Sequence, residues 1–110
     1  MAKIEWSKKA IQDLASIYHH IAKNSIFYAD RYCNKLYSRV DQLLTQPESG
    51  RIVPEKEDST IRELIEGNYR IFYKVRKRYV FVLRIYHSGE RQNNIRDYHD
   101  QLDKSFQNRF

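Results

Sequence analysis

Apolar residues recur at two different spacings along the chain, and the change of spacing divides it into a helical part and a strand part. Polar and apolar side chains alternate from Lys3 to Trp6, which predicts a short N-terminal strand. Ser7 follows directly, and its hydroxyl can accept a hydrogen bond from a free backbone N–H group at the start of a helix. A helix is therefore predicted to begin immediately after Ser7.

Two amphipathic stripes follow, each with apolar residues three or four positions apart. Asn24 and Ser25 lie between them and combine a helix stop with a new cap, whereas Pro47 and Gly50 end the second stripe. Two helices with so short a link are predicted to form an antiparallel hairpin. The stripes are Ala10, Leu14, Ile17, Tyr18 and Ile21 in the first helix, and Ala29, Tyr32, Cys33, Leu36, Val40, Leu43 and Leu44 in the second.

The period changes after a polar stretch, residues 50–60, which is predicted to be a surface loop. Three segments rich in β-branched and aromatic residues then alternate with turn signals and predict a three-stranded antiparallel meander. A helical hairpin followed by strands indicates an α+β domain in which the helices cover one sheet face. The strands are Ile61–Glu66, Tyr69–Arg76 and Tyr79–Tyr86, separated by Gly67-Asn68 and Lys77-Arg78.

The two faces of the second predicted strand differ in the chemistry of their side chains. Tyr69, Ile71, Tyr73 and Val75 share one face, and the other face carries three of the strand's cations around Phe72. This second face, with Arg70, Lys74 and Arg76, is predicted to be cationic and partly open.

A thinner stripe lies beyond the meander. Ile95, Tyr98, Leu102 and Phe106 align at helical spacing, although no clear cap ends the stripe. We therefore divide the chain into one domain, residues 1–91, and a tail, residues 92–110, which is predicted to form a C-terminal helix.

Composition excludes several classes of protein. The chain has 110 residues, of which 41% are hydrophobic and 31% charged, as in a small folded domain. It has no apolar run near the ~20 residues of a membrane span and no signal-peptide pattern, so a cytoplasmic protein without membrane contact is expected. One cysteine, Cys33, and four scattered histidines give neither an internal disulfide nor zinc-ligand spacing. Neither a metal nor a cofactor is expected.

Charge is concentrated in one part of the chain. The net charge is +6, which favours an acidic partner such as nucleic acid or an acidic protein segment. Residues 67–96 contain eight basic residues and one acid, Glu90, so this segment carries +7 and the remainder −1. The positive field is expected on the meander and its exit.

The densest motif of the chain runs through this region. Gly50-Arg51-Ile52-Val53-Pro54-Glu55, followed by Ile61 to Tyr73, strongly resembles the RelE/ParE toxin superfamily, and its ParE branch in particular. The Trp6-Ser7-x-x-Ala10 start and the Ile85-Tyr86-His87 ending, with Arg91 beyond, agree with the same pattern. The resemblance implies the toxin of a type II toxin–antitoxin pair, with a strand, a helical hairpin and a three-stranded meander.

The resemblance leaves two modes of action open. ParE-like members are associated with inhibition of DNA gyrase, whereas RelE-like members cleave messenger RNA in the ribosome. Cleavage through a 2′-hydroxyl needs a proton acceptor, cations for the phosphate and an acid for the leaving group. Arg70, Arg84 and His87 are the candidates for these tasks, with Arg62 as a further cation and Glu63 or Tyr86 as assisting groups.

Two observations favour the gyrase alternative. Strand alternation points Arg62 and Glu63 to opposite faces, and likewise Tyr86 and His87, so these residues cannot all line one pocket. RelE-like members also carry a lysine-rich stretch near the first meander strand, whereas Lys56 is the only lysine between Lys35 and Lys74 here.

We therefore expect a growth-inhibiting toxin that binds gyrase and is neutralised by an acidic, largely disordered antitoxin. The alternatives are a ribosome-dependent messenger-RNA endonuclease and an inactive, antitoxin-binding relic. The residues predicted to bind the antitoxin or the target are Arg62, Arg70, Lys74, Arg76, Arg84 and Arg91.

Overall fold

The structure is a computed structural model that describes residues 2–53 and 60–88. Strand β1 (Lys3–Trp6) is followed by helices α1 (Lys8–Ala22) and α2 (Ile26–Asp41), a 3₁₀ turn (Gln42–Leu44), and strands β2 (Arg51–Ile52), β3 (Ile61–Glu66), β4 (Tyr69–Arg76) and β5 (Tyr79–His87). The predicted α+β class, the hairpin and the meander are confirmed. The predicted C-terminal helix and the boundary at residue 91 lie outside the described residues and stay predictions.

Serine caps begin both helices, as the sequence predicts. The Ser7 hydroxyl accepts a hydrogen bond from the Ala10 N–H at 2.9 Å, and the Ser25 hydroxyl accepts one from the Tyr28 N–H at 3.1 Å. Each cap satisfies one of the N–H groups that the first helical turn leaves without a partner. The Ser7 hydroxyl also donates to the Leu83 carbonyl at 2.8 Å, which fixes the start of α1 against β5.

Within the described part of the chain, the sheet has five strands in the order β1-β5-β4-β3-β2, with β1 parallel to β5 and the other pairs antiparallel. The prediction of a surface loop from residue 50 to 60 is wrong at its start. Arg51 and Ile52 pair with Glu63 and Arg62 to form the edge strand β2, and Val53 beyond them is fully buried. Two paired residues are too few for a strand pattern to be recognised in the sequence.

The main core lies between the hairpin and one face of the sheet. Leu36 and Val40 of α2 and Leu43 after it are fully buried against Ile71, Tyr73 and other residues of that face. Burial of each such aliphatic side chain contributes about 1.5–3 kcal/mol relative to an exposed one.

The opposite sheet face differs from the prediction of an open, cationic surface. A second apolar cluster occupies it, and both Phe72 and Arg70 are buried, with 0% and 8% of their surface exposed. Phe72 packs between apolar residues of the two neighbouring strands, so this face forms a second core. The cluster consists of Val53, Ile61, Phe72, Phe81, Leu83 and Tyr86.

Candidate functional site

A surface depression lies between α1 and the end of β5. It measures about 600 Å³, and we call it the β5 groove. Ile17, Ile21 and Ile85 give it apolar walls, and polar or titratable groups share the rest of its lining. These other lining residues are Asp13, Ser16, His20, Tyr32, Asn68, Tyr69, Arg84, Tyr86 and His87.

The groove lies where β5 loses its partner β1 and its pairing with β4 becomes irregular. Strand β1 accompanies β5 only as far as the pair Trp6 and Val82, after which the chain turns into α1. In the pairing with β4, Phe72 faces Arg84 but Tyr73 faces Val82, so Leu83 is an extra residue in β5. Such a bulge bends the strand and redirects its side chains. Arg84 can therefore reach α1.

Asp13 on α1 holds Arg84 through two hydrogen bonds. Arg84 donates from Nε at 2.6 Å and from Nη2 at 2.9 Å to the two carboxylate oxygens, and both side chains are largely buried. The same carboxylate accepts the Ile85 backbone N–H at 3.0 Å. Asp13 therefore satisfies an N–H group on the β5 edge that β1 does not reach, and it offsets the charge of Arg84.

His87 lies at the other end of the groove beside a pair of tyrosines. Its exposed ring meets Tyr69 edge to face with centroids 5.4 Å apart, and Tyr69 meets Tyr32 in the same way at 5.6 Å. The Tyr32 hydroxyl donates to the Glu66 carbonyl at 3.2 Å and accepts from the Asn68 N–H at 3.3 Å. Burial raises the pKa of the Tyr69 phenol, with smaller contributions from Tyr32 and Cys33.

Arg70 is held on the opposite face of the sheet. Its Nε donates to the Glu63 carboxylate at 2.7 Å and its Nη2 at 2.5 Å, and the Glu63 side chain is fully buried. Arg51 Nε donates to the other carboxylate oxygen at 2.5 Å. The Arg70 guanidinium also lies 4.9 Å from the centre of the Phe72 ring. We call Glu63, Arg70 and Arg51 the Glu63 cluster.

The predicted cations that the structure describes do not form one site. Arg62 pairs across the strands with Tyr73 and donates through Nη1 to the carbonyls of Gly50 at 2.8 Å and Glu48 at 3.2 Å. Arg62 therefore anchors the chain that leads into β2, and Glu66 on the same strand faces Lys35 and Arg39.

Lys74 and Arg76 have cross-strand partners Phe81 and Tyr79, on the face of Phe72, and Arg91 lies outside the described residues. The candidate cations are therefore distributed over both sheet faces and the β5 edge. Sequence reasoning missed the ionic role of Asp13, because no local signal links it to an arginine 71 positions away.

Within residues 2–53 and 60–88, no three His, Cys, Asp or Glu side chains lie where they could hold a metal ion. No helix in the same part of the chain has the length and apolarity to cross a membrane.

Comparison with known families gives a match over most of the chain. The family described as the ParE toxin of the type II toxin–antitoxin system parDE matches residues 4–92. The chain belongs to the ParE toxin family. The match covers every described strand and helix except the first residue of β1, so the resemblance to the RelE/ParE superfamily is confirmed.

Similar proteins carry names from both branches of the superfamily. A curated relative of this ParE-family chain, "Toxin RelE2" of Caulobacter vibrioides, is 34% identical over 90 residues, which are 81% of this chain and 98% of the relative. A solved chain of the chromosomal ParDE toxin–antitoxin system from P. aeruginosa matches with a TM-score of 0.66 at 24% identity, covering 79% of this chain and 96% of its own.

A chain of the toxin–antitoxin complex RelBE2 from Mycobacterium tuberculosis matches less closely. Its TM-score is 0.50 at 17% identity, and the match covers 78% of this chain and 96% of the solved one. Both structural matches support the fold of the ParE-family chain.

Proposed function

We propose that this ParE-family toxin arrests growth by binding DNA gyrase without performing chemistry, and that an acidic antitoxin neutralises it. The proposal rests chiefly on how the candidate nuclease residues are bonded. Arg70 is bound to the buried carboxylate of Glu63, and Arg84 is bound to Asp13 at the β5 edge. A cation already paired with a carboxylate stabilises the developing charge of a phosphoryl transition state less than an unpaired one does.

The third candidate, His87, is not beside Arg70. It lines the β5 groove with Arg84, whereas Arg70 belongs to the Glu63 cluster on the other face. A nuclease needs its proton acceptor and phosphate-binding cations within hydrogen-bond reach of one substrate. This separation favours a toxin that acts by binding.

The β5 groove has the chemistry to receive an antitoxin segment. Its isoleucine walls suit the apolar face of an amphipathic segment, while Ser16, Asn68 and His87 offer hydrogen-bonding groups to its polar side. Two solved systems that resemble this chain are a ParDE system and a RelBE2 toxin–antitoxin complex. We therefore expect the antitoxin to cover this groove.

A supercoiling assay tests the proposed target. Purified full-length chain is titrated into bacterial DNA gyrase acting on relaxed plasmid, and we expect concentration-dependent loss of supercoiling. His87→Ala should inhibit as wild type does, because His87 performs no chemistry in this mechanism. His19→Ala is the matched control, since His19 is exposed on α1 and does not line the groove. Unchanged supercoiling at high toxin excess would exclude gyrase as the target.

The messenger-RNA endonuclease stays the second candidate because a 34% identical relative bears the name RelE2. Its test is primer extension on RNA from cells that express the chain. New transcript ends that appear with wild type and disappear with His87→Ala, but not with His19→Ala, would support cleavage and refute the binding mechanism. Unimpaired growth on expression without antitoxin would leave only the inactive relic.

A further inference from the structure

Three consecutive large apolar residues stand in solvent at the start of α2. Ile26, Phe27 and Tyr28 are 65%, 64% and 63% exposed, and we call them the hairpin tip. Successive residues of an α-helix lie about 100° apart around its axis, so these three side chains span about 200° of the helix circumference. The hairpin tip is therefore a convex apolar knob at the link between α1 and α2.

Neither helix capping nor core packing requires the three exposed apolar side chains of this knob. Ser25 already caps α2 through its hydroxyl, and the neighbouring core position is Ala29, which is fully buried. Within the tip, the rings of Phe27 and Tyr28 meet edge to face with centroids 5.4 Å apart, which orders two aromatic side chains in solvent. Clustered apolar groups that a fold leaves exposed commonly mark interaction sites.

Basic groups surround one side of the knob. A cleft of about 190 Å³ beside Tyr28 is lined by Ile21 and Tyr32 and bordered by Arg31 and Lys35. The adjacent acid, Asp30, interacts with the Tyr18 phenol and raises its pKa, mainly through a hydrogen bond. The cleft side of the knob therefore presents two basic side chains, Arg31 and Lys35, of which Lys35 also lies 3.7 Å from Glu66.

Shape and charge together indicate the occupant. A projecting knob fits a pocket in a folded partner, whereas a disordered segment that folds on binding is better served by a groove such as the β5 groove. A second copy of this chain would bring the cations beside its own cleft against those of the first. We propose that the hairpin tip inserts into an apolar pocket with an acidic rim on the folded target protein of this toxin.

The inference rests on the proposed function, because it assigns a contact surface to a toxin that acts by binding. Phe27 and Tyr28 are rigid aromatic anchors of the type that dominates protein interfaces. They would supply most of the affinity for the target, and Arg31 and Lys35 would orient the encounter.

The test compares apolar residues on the tip with another exposed apolar residue outside it. Phe27→Ser, Tyr28→Ser and Ile26→Ser are compared with Ile11→Ser, since Ile11 is 55% exposed on α1. Each full-length variant is measured for growth arrest in cells, affinity for purified gyrase and melting temperature. We expect Phe27→Ser and Tyr28→Ser each to weaken gyrase binding at least ten-fold and to relieve growth arrest. Ile11→Ser should behave as wild type, and all variants should melt near the wild-type temperature.

The outcomes separate this inference from the proposed function. Full arrest by a folded Phe27→Ser/Tyr28→Ser double variant would overturn the role of the tip while leaving a binding toxin in place. If growth arrest depends on the hairpin tip but the chain does not bind gyrase, this would support the role of the tip in target binding and exclude gyrase as the target. Loss of antitoxin neutralisation with arrest retained would show that the antitoxin occupies the tip, which contradicts our assignment. A wild-type chain that neither arrests growth nor binds gyrase would overturn both.

Discussion

The Glu63 cluster allows a sharp test of how this sheet is held together. Glu63→Gln removes the buried negative charge between Arg70 and Arg51 and keeps the shape of the side chain. Arg70 remains 8% exposed and still carries its full charge. Removing a carboxylate that neutralises a buried ionised group is destabilising, because the protein interior solvates the remaining charge far less well than water does.

The expected magnitude follows from the burial of the two partners. Breaking a buried ion pair from one side costs about 3–5 kcal/mol. We expect the lower end, about 3 kcal/mol, because Gln retains one oxygen that accepts a hydrogen bond and Arg51 is largely exposed. A chain of 110 residues has an unfolding entropy near 0.23 kcal/mol/K, so the melting temperature should fall by about 13 °C.

The matched control is Glu66→Gln, which makes the same chemical change on the same strand. Glu66 contacts Lys35 and Arg39 at the longer distances of 3.7 and 3.9 Å. Pairs of this kind contribute about 1 kcal/mol or less. Calorimetry and urea unfolding of both variants measure the difference. If Glu63→Gln were less than 1 kcal/mol more destabilising than Glu66→Gln, the buried-pair argument would be refuted.

A double substitution that removes both charges of the pair gives a second test of the same reasoning. Glu63→Leu combined with Arg70→Met removes both charges and keeps apolar volume beside Phe72. Since no unpaired charge is left buried, the double variant should recover most of the stability that Glu63→Gln loses. Growth arrest by this folded double variant would also contradict a catalytic role for Arg70.

Three further predictions concern a turn and two titratable groups. Gly67→Ala should cost about 2–3 kcal/mol in urea unfolding, because Gly67 has a φ of +58° and an added Cβ would lie 2.1 Å from the Tyr32 hydroxyl; a cost below 1 kcal/mol would contradict this. Burial, with a smaller contribution from Asp30, raises the pKa of the Cys33 thiol, so at pH 8 the native protein should react with iodoacetamide more slowly than free cysteine does. The protein unfolded in guanidinium should react at the rate of free cysteine, and equal rates for native and unfolded protein would contradict the prediction. Burial also raises the pKa of the Tyr73 phenol, although its hydrogen bond with the Gly50 N–H partly opposes this. The stabilising contribution of Tyr73 should therefore be complete below pH ~10 and decline as the pH rises through its folded-state pKa. Above pH ~10, the melting temperature should fall less for Tyr73→Phe than for Tyr37→Phe, which replaces an exposed tyrosine.

Local patterns were sufficient for most of the fold. Helix starts at Ser7 and Ser25 follow from hydroxyl caps, and the hairpin turn at Gly67 follows from the need for a positive φ. These features depend on residues only a few positions apart, so the order of amino acids is enough to predict them. The short strand β2 escaped prediction because its two residues, Arg51 and Ile52, carry no period of their own.

The ionic partners depended on the tertiary structure. Strand alternation assigns Arg70 to a sheet face, but it does not reveal that Arg70 pairs with Glu63 on the neighbouring strand β3. The Leu83 bulge likewise changes the register of β5 and directs Arg84 to Asp13, which is 71 residues away. Sequence patterns alone predict both helices, the strands β1, β3, β4 and β5, the family resemblance and the basic character of the meander. Only the folded chain decided which cations are already paired, because that depends on strand register and on distances between residues far apart in sequence.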